Sequence, residues 1–431
     1  MGVDPAATEG GSRRRFLKLA ALAAVGASVA RAARGTSGRV VIIGGGFAGA
    51  HCALQLRTLA PLVDVTLIDP DARYVTCPMS NGVLVGLRSV QSITFSRTAL
   101  QQAGVRYRRD RALSIDSSRR SVQLASGESV DYERLVVAPG IRFLPDGIEG
   151  YDDAVARRMP HAWHGGVQTQ LLARQLQAMD DGGVFAICVP SGLMRCPPAP
   201  FERASLIANW MIRHKPRSKV LIFDANNHFP RQDVFTAAWH ERYPGRIEWF
   251  GSTDGGTIDR IEVASMTLYG GRGAQRVAVA NVIPRQAPTS IAVESGLASG
   301  HGWCPVHPLT FESTRVANVH VIGDACIAGA MPKSASAAVS QADQCARAIC
   351  ALLSEAAVPA PVFESVCYSF VAPDQALAIR GRFVIAESEI RPTDSPEAIT
   401  ENHQPSQEAG RAQDWYRKIV SDSFGERLAG T

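Results

Sequence analysis

The sequence predicts an α/β fold that is built on two Rossmann-type domains. A strand, a glycine-rich turn, a helix and a second strand follow one another over residues 39–69, and a similar order recurs over residues 165–284. A third buried strand, late in the chain, ends in Gly323 and Asp324. Parallel strands joined by helices are typical of dinucleotide-binding domains. The 431 residues are enough for two or three domains, each with its own core.

The unit over residues 39–69 carries the most specific pattern. An apolar strand, residues 40–43, runs into a G-x-G-x-x-G turn, and an amphipathic segment from Ala50 to Leu59 follows. A second strand, residues 63–68, ends in an acid. Glycines let the main chain approach a pyrophosphate, a helix N-terminus stabilises its charge, and the acid accepts hydrogen bonds from a ribose. The pattern predicts a dinucleotide site formed by Gly44, Gly45, Gly46, Phe47, Ala48, Gly49 and Asp69.

Two later segments indicate which dinucleotide binds. A strand that runs into Ala138 and Gly140, after a predicted hairpin around residues 126–128, is typical of the second nucleotide contact in flavoproteins with two dinucleotide domains. Gly323 can offer a main-chain amide to phosphate, and Asp324 can offer a carboxylate to a ribityl hydroxyl. A helix predicted from about Ser336 to Leu353 packs behind them. Three such pieces favour FAD over NAD, in a domain formed by residues 33–164 and 285–358.

The second unit, residues 165–284, has the strands of a nucleotide domain but not the turn. Its strands are predicted at residues 184–189 and 219–224, and the second ends in an acid. The turn from Pro190 to Pro198 contains one glycine, and its prolines lack the amides that bind phosphate. We therefore expect an NAD-domain-like fold without a bound nucleotide, so that electrons come from something other than a nicotinamide.

The N-terminus predicts an exported protein. Ser12-Arg13-Arg14-Arg15-Phe16-Leu17-Lys18 fits the twin-arginine signal, and a short apolar stretch and a small-residue cleavage site follow it. We expect a twin-arginine signal peptide over residues 1–32, a location in the bacterial periplasm and no transmembrane segment. The net charge of +5 falls to about +2 without that peptide, which argues against a nucleic-acid partner.

Seven motifs in the rest of the chain are more specific than the glycine turn. They are Tyr74-Val75-Thr76-Cys77, Arg195-Cys196-Pro197-Pro198, Gly302-Trp303-Cys304-Pro305, Gly323-Asp324-Ala325-Cys326, Met331-Pro332-Lys333-Ser334, Cys367-Tyr368-Ser369 and Trp415-Tyr416. With them, the chain from Arg39 to Gly425 resembles the flavoprotein subunit of flavocytochrome c sulfide dehydrogenase, and the closely related flavoprotein of sulfur-oxidising gene clusters. The resemblance implies a disulfide-reductase-like flavoprotein. Its third part, residues 359–431, would be a C-terminal α+β domain that docks a c-type cytochrome.

The resemblance also implies roles for three cysteines. Cys196 and Cys367 would form a redox disulfide over the flavin ring, and Cys77 would be joined to the flavin by a thioether. Arg195 adjoins Cys196, and a nearby cation favours a thiolate. A purely structural bridge is the alternative for the pair, and a free thiol packed near the ring is the alternative for Cys77.

Other site residues keep two interpretations. Glu202 either shuttles protons with a raised pKa or interacts with a helix dipole as a helix-start carboxylate. Trp415 either stacks near the flavin or anchors the tail. The resemblance adds Asn81 and Lys333 to the cofactor site.

No metal site is predicted. His161 and His164 have the spacing of a ligand pair, but no further cluster accompanies them, and an interdomain linker is the favoured interpretation. Core packing is expected for the remaining cysteines, except for two that flank the third FAD segment and are expected near the flavin pocket. The core set is Cys52, Cys188, Cys345 and Cys350, and the flanking pair is Cys304 and Cys326. The polar stretch from Glu387 to Gln413 is predicted to be a long surface loop.

These expectations combine into a function. The chain would be a periplasmic FAD-dependent sulfide dehydrogenase flavoprotein, in which hydrosulfide attacks the disulfide and the flavin passes electrons to haem. No C-x-x-C-H motif occurs, so the haem belongs to a separate c-type cytochrome subunit of a heterodimer. The alternatives are a sulfide:quinone oxidoreductase, for which an apolar membrane-binding C-terminus is expected, and an NAD(P)H-linked disulfide reductase. A further alternative is a flavoprotein that activates another sulfur-oxidising component.

Overall fold

The computed structural model describes residues 36–300, 302–393 and 404–426. The twin-arginine signal peptide predicted over residues 1–32 lies outside this part of the chain and stays a prediction. Among the helices in these ranges, none combines the length and the apolar character that crossing a bilayer requires.

Residues 36–164 begin the first Rossmann-type domain. Short apolar and β-branched runs form its strands, and the glycine turn ends where the first long helix begins. The elements are β1 (Ser37–Ile43), α1 (Phe47–Leu59), β2 (Leu62–Ile68), β3 (Arg73–Val75), α2 (Ser80–Leu84), β4 (Thr94–Ser96), α3 (Thr98–Gln102), β5 (Arg106–Arg108), β6 (Ala112–Asp116), β7 (Ser121–Leu124), β8 (Ser129–Asp131), β9 (Arg134–Val137) and β10 (Ile141–Leu144).

Residues 165–284 form the second domain. Its elements are α4 (Val167–Ala178), β11 (Val184–Val189), α5 (Ala199–His214), β12 (Lys219–Asp224), α6 (Gln232–Arg242), β13 (Ile247–Phe250), β14 (Ile258–Glu262), β15 (Thr267–Gly270), β16 (Gly273–Arg276) and β17 (Val279–Val282).

The rest of the described chain returns to the first domain and then forms a C-terminal unit. The returning elements are β18 (Arg285–Pro288), α7 (Ser290–Glu294), β19 (Cys304–Pro305), β20 (Val319–Val321), β21 (Cys326–Ile327) and α8 (Ala335–Leu353). The C-terminal elements are β22 (Phe363–Ala372), β23 (Gln375–Ala386), β24 (Glu389–Pro392) and α9 (Pro405–Phe424).

The first domain is organised around a parallel sheet in the order β20-β9-β1-β2-β5. The central strand β1 is apolar on both faces, and Val40 and Ile42 are completely buried, as expected for a parallel sheet covered by helices. Strand β20 pairs with β9 although it lies late in the chain. One sheet therefore contains strands from both of the segments predicted for FAD binding. The predicted hairpin corresponds to β7 and β8, which pair antiparallel.

The second domain has its own parallel sheet, in the order β13-β12-β11-β17. The strands predicted at residues 184–189 and 219–224 are β11 and β12, with the predicted bounds. Parallel pairing places the carboxyl ends of β11 and β12 side by side, facing the first domain. The two-stranded pair of β10 and β18 marks where the chain leaves the first domain and returns to it.

The C-terminal unit consists of an antiparallel sheet, β22-β23-β24, and the helix α9. The prediction of a long surface loop from Glu387 to Gln413 is wrong at both ends of that range. Strand β24 lies near its start, and the first half of α9 lies at its end. The helix was missed because its first buried positions carry Glu408 and the small residues Ala409 and Ala412 instead of large apolar side chains. Together with the two Rossmann-type sheets, this unit confirms the predicted fold class.

The last turn of α9 completes an aromatic cluster in the first domain. The ring of Phe424 lies 5.2 Å from the ring of Phe47, 5.3 Å from that of Tyr74 and 5.2 Å from that of Phe95. Phe47 is the first residue of α1, directly after the glycine turn. The C-terminal helix therefore packs against the segment that is predicted to hold the pyrophosphate.

Candidate functional site

A cavity of about 530 Å³ lies where the first domain, the second domain and the C-terminal sheet meet. It extends from the glycine turn at the carboxyl edge of the first sheet to the start of α5 and to β22. Ligands of open α/β sheets bind at this edge. The predicted site residues that line it are Gly44, Gly45, Gly46, Phe47, Ala48, Asp69, Cys77, Asn81, Ala138, Gly140, Cys196, Glu202, Gly323, Asp324, Cys367 and Trp415.

Two positions of the glycine turn, Gly44 and Gly49, are packed too closely against the main chain for any other residue. A Cβ atom on Gly44, whose φ is +96°, would lie 2.3 Å from the Ala138 carbonyl oxygen. A Cβ atom on Gly49 would lie 1.9 Å from the Gly44 carbonyl oxygen. Because the turn has no side chains here, the N-terminus of α1 is open to the cavity, which fits a pyrophosphate. The structure thus places the predicted glycines in a turn whose geometry fits a pyrophosphate.

Asp69 is held by an arginine that sequence analysis missed. One Asp69 carboxylate oxygen accepts a 2.6 Å hydrogen bond from the Gly45 amide, and the other lies 3.3 Å from Arg97 Nη2. Arg97 is 2% exposed and lies beside the ring of Tyr74, yet its Nη2 has no hydrogen-bond partner of good geometry. Arg97 does not line the cavity itself, and it fixes the orientation of the predicted ribose acid from outside it.

Cys77 follows β3 and faces the opposite end of the cavity. Its thiol donates to the Trp163 carbonyl oxygen over 3.4 Å. The same oxygen accepts a second hydrogen bond, from the Arg195 guanidinium. The preceding Thr76 is completely buried, and its hydroxyl lies 2.8 Å from the Tyr416 hydroxyl of α9. The loop that carries Cys77 is therefore fixed from both sides.

Cys196 and Cys367 line the same cavity, and both are free thiols in this structure. Cys196 adopts a left-handed conformation with φ +52°, and its amide donates to the Lys333 carbonyl oxygen over 2.8 Å. Burial raises the Cys196 pKa well above its ordinary value, and the neighbouring Cys367 and Glu202 raise it further. Burial also raises the pKa of Cys367. Arg195 acts in the expected direction, because its charge lowers the Cys196 pKa, but burial raises that pKa by more.

Glu202 lies in the first turn of α5 and faces the cavity, so both of its interpretations have a structural basis. Burial raises its pKa from 4.5 to about 7, although hydrogen bonds from the Asn81 side chain and the Phe370 main chain oppose the shift. A carboxyl group with such a pKa can exchange protons near neutral pH. Both interpretations of Trp415 also have a structural basis. Its ring lies 5.7 Å from the ring of Tyr368, which anchors the C-terminal helix, and it also lines the cavity.

A second buried arginine, Arg203, organises the wall beside Glu202. It is 2% exposed and donates to the side-chain oxygens of Asn81, over 3.0 Å, and of Asn281, over 2.6 Å. It also donates to the Ala162 carbonyl oxygen over 2.8 Å. Burial lowers its pKa to about 10, so it remains a cation at neutral pH. Sequence analysis gave Arg203 no role because its partners lie on three other segments.

Comparison with known proteins identifies the family. The family model for the pyridine nucleotide-disulphide oxidoreductases matches residues 38–171, and the central model of the sulfide dehydrogenase [flavocytochrome c] flavoprotein chain matches residues 169–284. The flavin-binding model of flavocytochrome c sulphide dehydrogenase matches residues 359–424. The flavoprotein chain of this dehydrogenase from Chlorobaculum thiosulfatiphilum is 56% identical over 45 residues, which are 94% of that sequence and 10% of this chain. The chain belongs to the flavocytochrome c sulfide dehydrogenase flavoprotein family.

More distant relatives of this flavocytochrome c flavoprotein share its fold. The mouse mitochondrial sulfide:quinone oxidoreductase is 20% identical over 323 residues, which cover 73% of this chain and 71% of the relative. The crystal structure of the sulfide:quinone oxidoreductase from Aquifex aeolicus aligns with a TM-score of 0.70 and 16% identity, covering 90% of this chain and 92% of that one. The disulfide-reductase-like fold of the flavocytochrome c flavoproteins is thereby confirmed for this chain.

Two predicted cofactor residues of this flavocytochrome c flavoprotein do not line the first cavity, namely Gly49, which lies within α1, and Lys333. Lys333 lines a second cavity, of about 440 Å³, beside the carboxyl ends of β11 and β12, and does not line the first. Its ammonium group donates to the carbonyl oxygens of Asp324, over 2.8 Å, and Cys326, over 2.9 Å. It thus braces the turn that presents Asp324. Cys326 lines this second cavity instead of the flavin pocket, and Cys304 is buried on the paired strand.

The second cavity lacks a free acid for a ribose. Asp224, at the end of β12, is completely buried and accepts hydrogen bonds from the Asn226 amide, over 2.9 Å, and from Trp249 Nε1, over 3.1 Å. The prolines of the adjoining turn carry no amide hydrogens. The position that would bind a second dinucleotide is therefore poor in both phosphate donors and ribose acceptors.

His161 and His164 are packed in the linker and not arranged for a metal. Their rings lie 4.0 Å and 5.1 Å from the ring of Phe143. Burial lowers their pKa values to about 3 and about 4, so both are neutral. Over the residues that the structure describes, no group of three or more histidine, cysteine or acidic side chains could hold a metal ion.

Proposed function

We propose that this chain is the FAD-binding flavoprotein of a periplasmic sulfide dehydrogenase, which oxidises sulfide to sulfur or polysulfide and passes the electrons to a c-type cytochrome subunit. One observation carries the proposal. Cys196 and Cys367, from two different domains, line the cavity that begins at the glycine turn. The names of the relatives, sulfide dehydrogenase and sulfide:quinone oxidoreductase, support sulfide as the substrate.

The cavity residues fit FAD at each of its parts. The glycine turn and the N-terminus of α1 would hold the pyrophosphate, and Asp69 would hold the adenosine ribose with its orientation set by Arg97. Asp324 would accept hydrogen bonds from the ribityl chain. Cys77, at the far end, would carry the thioether. When bound, FAD supplies an acceptor that takes up two electrons together and releases them one at a time.

The two cysteines would carry the sulfur chemistry as a disulfide. Hydrosulfide attacks one sulfur, the Cys196–Cys367 bond breaks, and one cysteine becomes a persulfide while the other leaves as a thiolate. A second hydrosulfide removes the outer sulfur atom as a polysulfide and leaves a thiol. The reduced pair now holds two electrons more than the disulfide. Re-forming the Cys196–Cys367 bond requires both thiols to lose their protons and a two-electron acceptor beside them, which FAD bound in this cavity would supply.

Glu202 would accept and release the protons of this cycle. Hydrosulfide loses its remaining proton when its sulfur is oxidised, and the thiols lose theirs when the disulfide re-forms. The raised pKa values of Cys196 and Cys367 mean that each thiol needs an acceptor for its proton. Glu202 faces the same cavity, and its pKa of about 7 suits it to accept a proton and to pass it on.

The proposal is tested with Cys196→Ser, Cys367→Ser and the double variant in the flavin-loaded protein. Sulfide is mixed rapidly with each, and the flavin absorption band is followed. Each single substitution should slow reduction almost as much as the double one, because neither cysteine alone provides a disulfide to attack. Cys350→Ser, on α8 and outside the cavity, is the matched control and should be reduced at the parental rate.

Dithionite should reduce the flavin in every variant, because that route bypasses the sulfurs. If Cys196→Ser or Cys367→Ser is reduced by sulfide as fast as the parent, the pair does not carry the electrons and the proposal fails. A second assay adds sulfide and cytochrome c. Turnover that requires another sulfur-oxidising protein, with no direct reduction by sulfide, would favour the partner-activating role instead.

A further inference from the structure

Trp163 and Arg195 are joined by two reciprocal hydrogen bonds. The Trp163 indole Nε1 donates to the Arg195 carbonyl oxygen over 3.1 Å, and the Arg195 guanidinium donates to the Trp163 carbonyl oxygen. The Arg195 amide donates to Gln286 Oε1 over 2.8 Å, and Arg195 Nη1 lies 3.7 Å from an Asp324 carboxylate oxygen. Two of these contacts hold the main chain of Arg195, and the other two hold its guanidinium. The side chain is therefore fixed in one position at the cavity wall.

The Cys77 thiol is the third partner of this pair. It donates to the same Trp163 carbonyl oxygen that Arg195 engages, over 3.4 Å. A carbonyl oxygen has two lone pairs, so the two donors fill its acceptor capacity. The sulfur therefore has a fixed direction and lies next to a guanidinium that stays charged at every working pH. Neither Cys196 nor Cys367 donates to a carbonyl that an arginine also engages.

We propose that Arg195 is a positioning residue for attachment of the flavin to Cys77. It fixes the Trp163 carbonyl that orients the thiol, and its charge stabilises the sulfur as the proton leaves. This inference rests on the proposed covalent FAD. In the attachment step the S–H bond of Cys77 and one C–H bond of the ring methyl group break, and a C–S bond forms. The two hydrogens remain, as two protons and two electrons, on the ring in its reduced form, and the electron acceptor of the enzyme reoxidises it.

The test measures attachment separately from binding. The full chain is prepared without flavin and mixed with FAD, and samples are precipitated with acid over time. Flavin in the supernatant reports non-covalent FAD, and intact mass reports the thioether. We expect Arg195→Gln to bind FAD but to attach it at least tenfold more slowly. Arg195→Lys keeps the charge and should recover part of the rate. Arg142→Gln, on the exposed edge of β10, is the matched control and should attach FAD as the parent does.

The outcomes separate this inference from the proposed function. If the parent protein releases all of its flavin into the supernatant, covalent attachment fails and the inference falls with it. If the parent attaches FAD and Arg195→Gln attaches it at the same rate, the inference is overturned while the proposed function stands. If Arg195→Gln binds no FAD at all, Gln286→Leu provides the second test. It leaves the guanidinium but removes its main-chain anchor, and a parental attachment rate in this variant would overturn the inference.

Discussion

Glu202→Gln should remove a pH-dependent cost to stability that can be worked out from the structure. The parent Glu202 has a pKa of about 7 in the folded state, against 4.5 as its ordinary value, because burial disfavours its charged form. Between these two pH values the folded protein binds more protons at this site than the unfolded chain, so stability falls as pH rises. Below 4.5 the site has no effect, and above 7 the full cost applies. At about 1.4 kcal/mol for each pH unit between the two pKa values, the cost is about 3 kcal/mol.

The assay is urea unfolding of the flavin-loaded parent and of Glu202→Gln between pH 4.5 and 8. The difference in unfolding free energy, variant minus parent, should rise by about 3 kcal/mol across this range, since glutamine stays neutral throughout. Taking the difference cancels the contributions of the other titrating groups. Glu241→Gln, on the exposed side of α6, gives the baseline for losing one surface carboxylate. A difference that does not change with pH would refute the claim that Glu202 titrates in a buried site.

Three further predictions follow from the turns and the N-terminus. Gly49→Ala should weaken FAD binding by about fivefold or more in an equilibrium titration, because its Cβ would lie 1.9 Å from the Gly44 carbonyl oxygen and overpacking of this kind costs roughly 1–3 kcal/mol; binding at parental affinity would contradict the described cradle. Stoichiometric NADH should not bleach the flavin on the timescale of turnover, because the turn from Pro190 to Pro198 lacks phosphate donors; rapid bleaching would count against this reading. Replacing Arg13 and Arg14 by Lys should leave the protein in the cytoplasm, and its continued appearance in the periplasmic fraction would show another export route.

The glycine turn and the strands around it could be predicted because their signals are local. Gly44, Gly49 and Asp69 lie within one short segment of the sequence. The spacing that identifies the motif in the sequence also brings these three residues close together in the fold. The same holds for Gly323 and Asp324, where a buried strand leads directly into the turn. Local hydrogen bonding and hydrophobic periodicity decide such units, so sequence pattern suffices.

The contacts of the buried arginines could not be predicted from local sequence patterns. Arg97 reaches Asp69 from a different element, and no pattern near residue 97 indicates a buried guanidinium. Arg195 is adjacent to Cys196 in sequence, yet its side chain contacts the Trp163 carbonyl, and the burial of Cys196 has the larger effect on that thiol. Desolvation depends on what surrounds a group in three dimensions. The neighbour in the chain therefore gave one contribution to the Cys196 pKa correctly, but not the larger contribution of burial.

The contact between Phe424 and the first domain has a consequence for biosynthesis. A chain still on the ribosome can complete β1, α1 and β2, but Phe47, Tyr74 and Phe95 lack their central packing partner until residue 424 has been synthesised. Domains otherwise fold in order from the N-terminus during synthesis. Here the base of the nucleotide cradle stays open until α9 arrives. We therefore expect the cofactor to be held stably only after the C-terminal helix has been translated, and we expect a nascent chain that stalls before this helix to expose these aromatic rings.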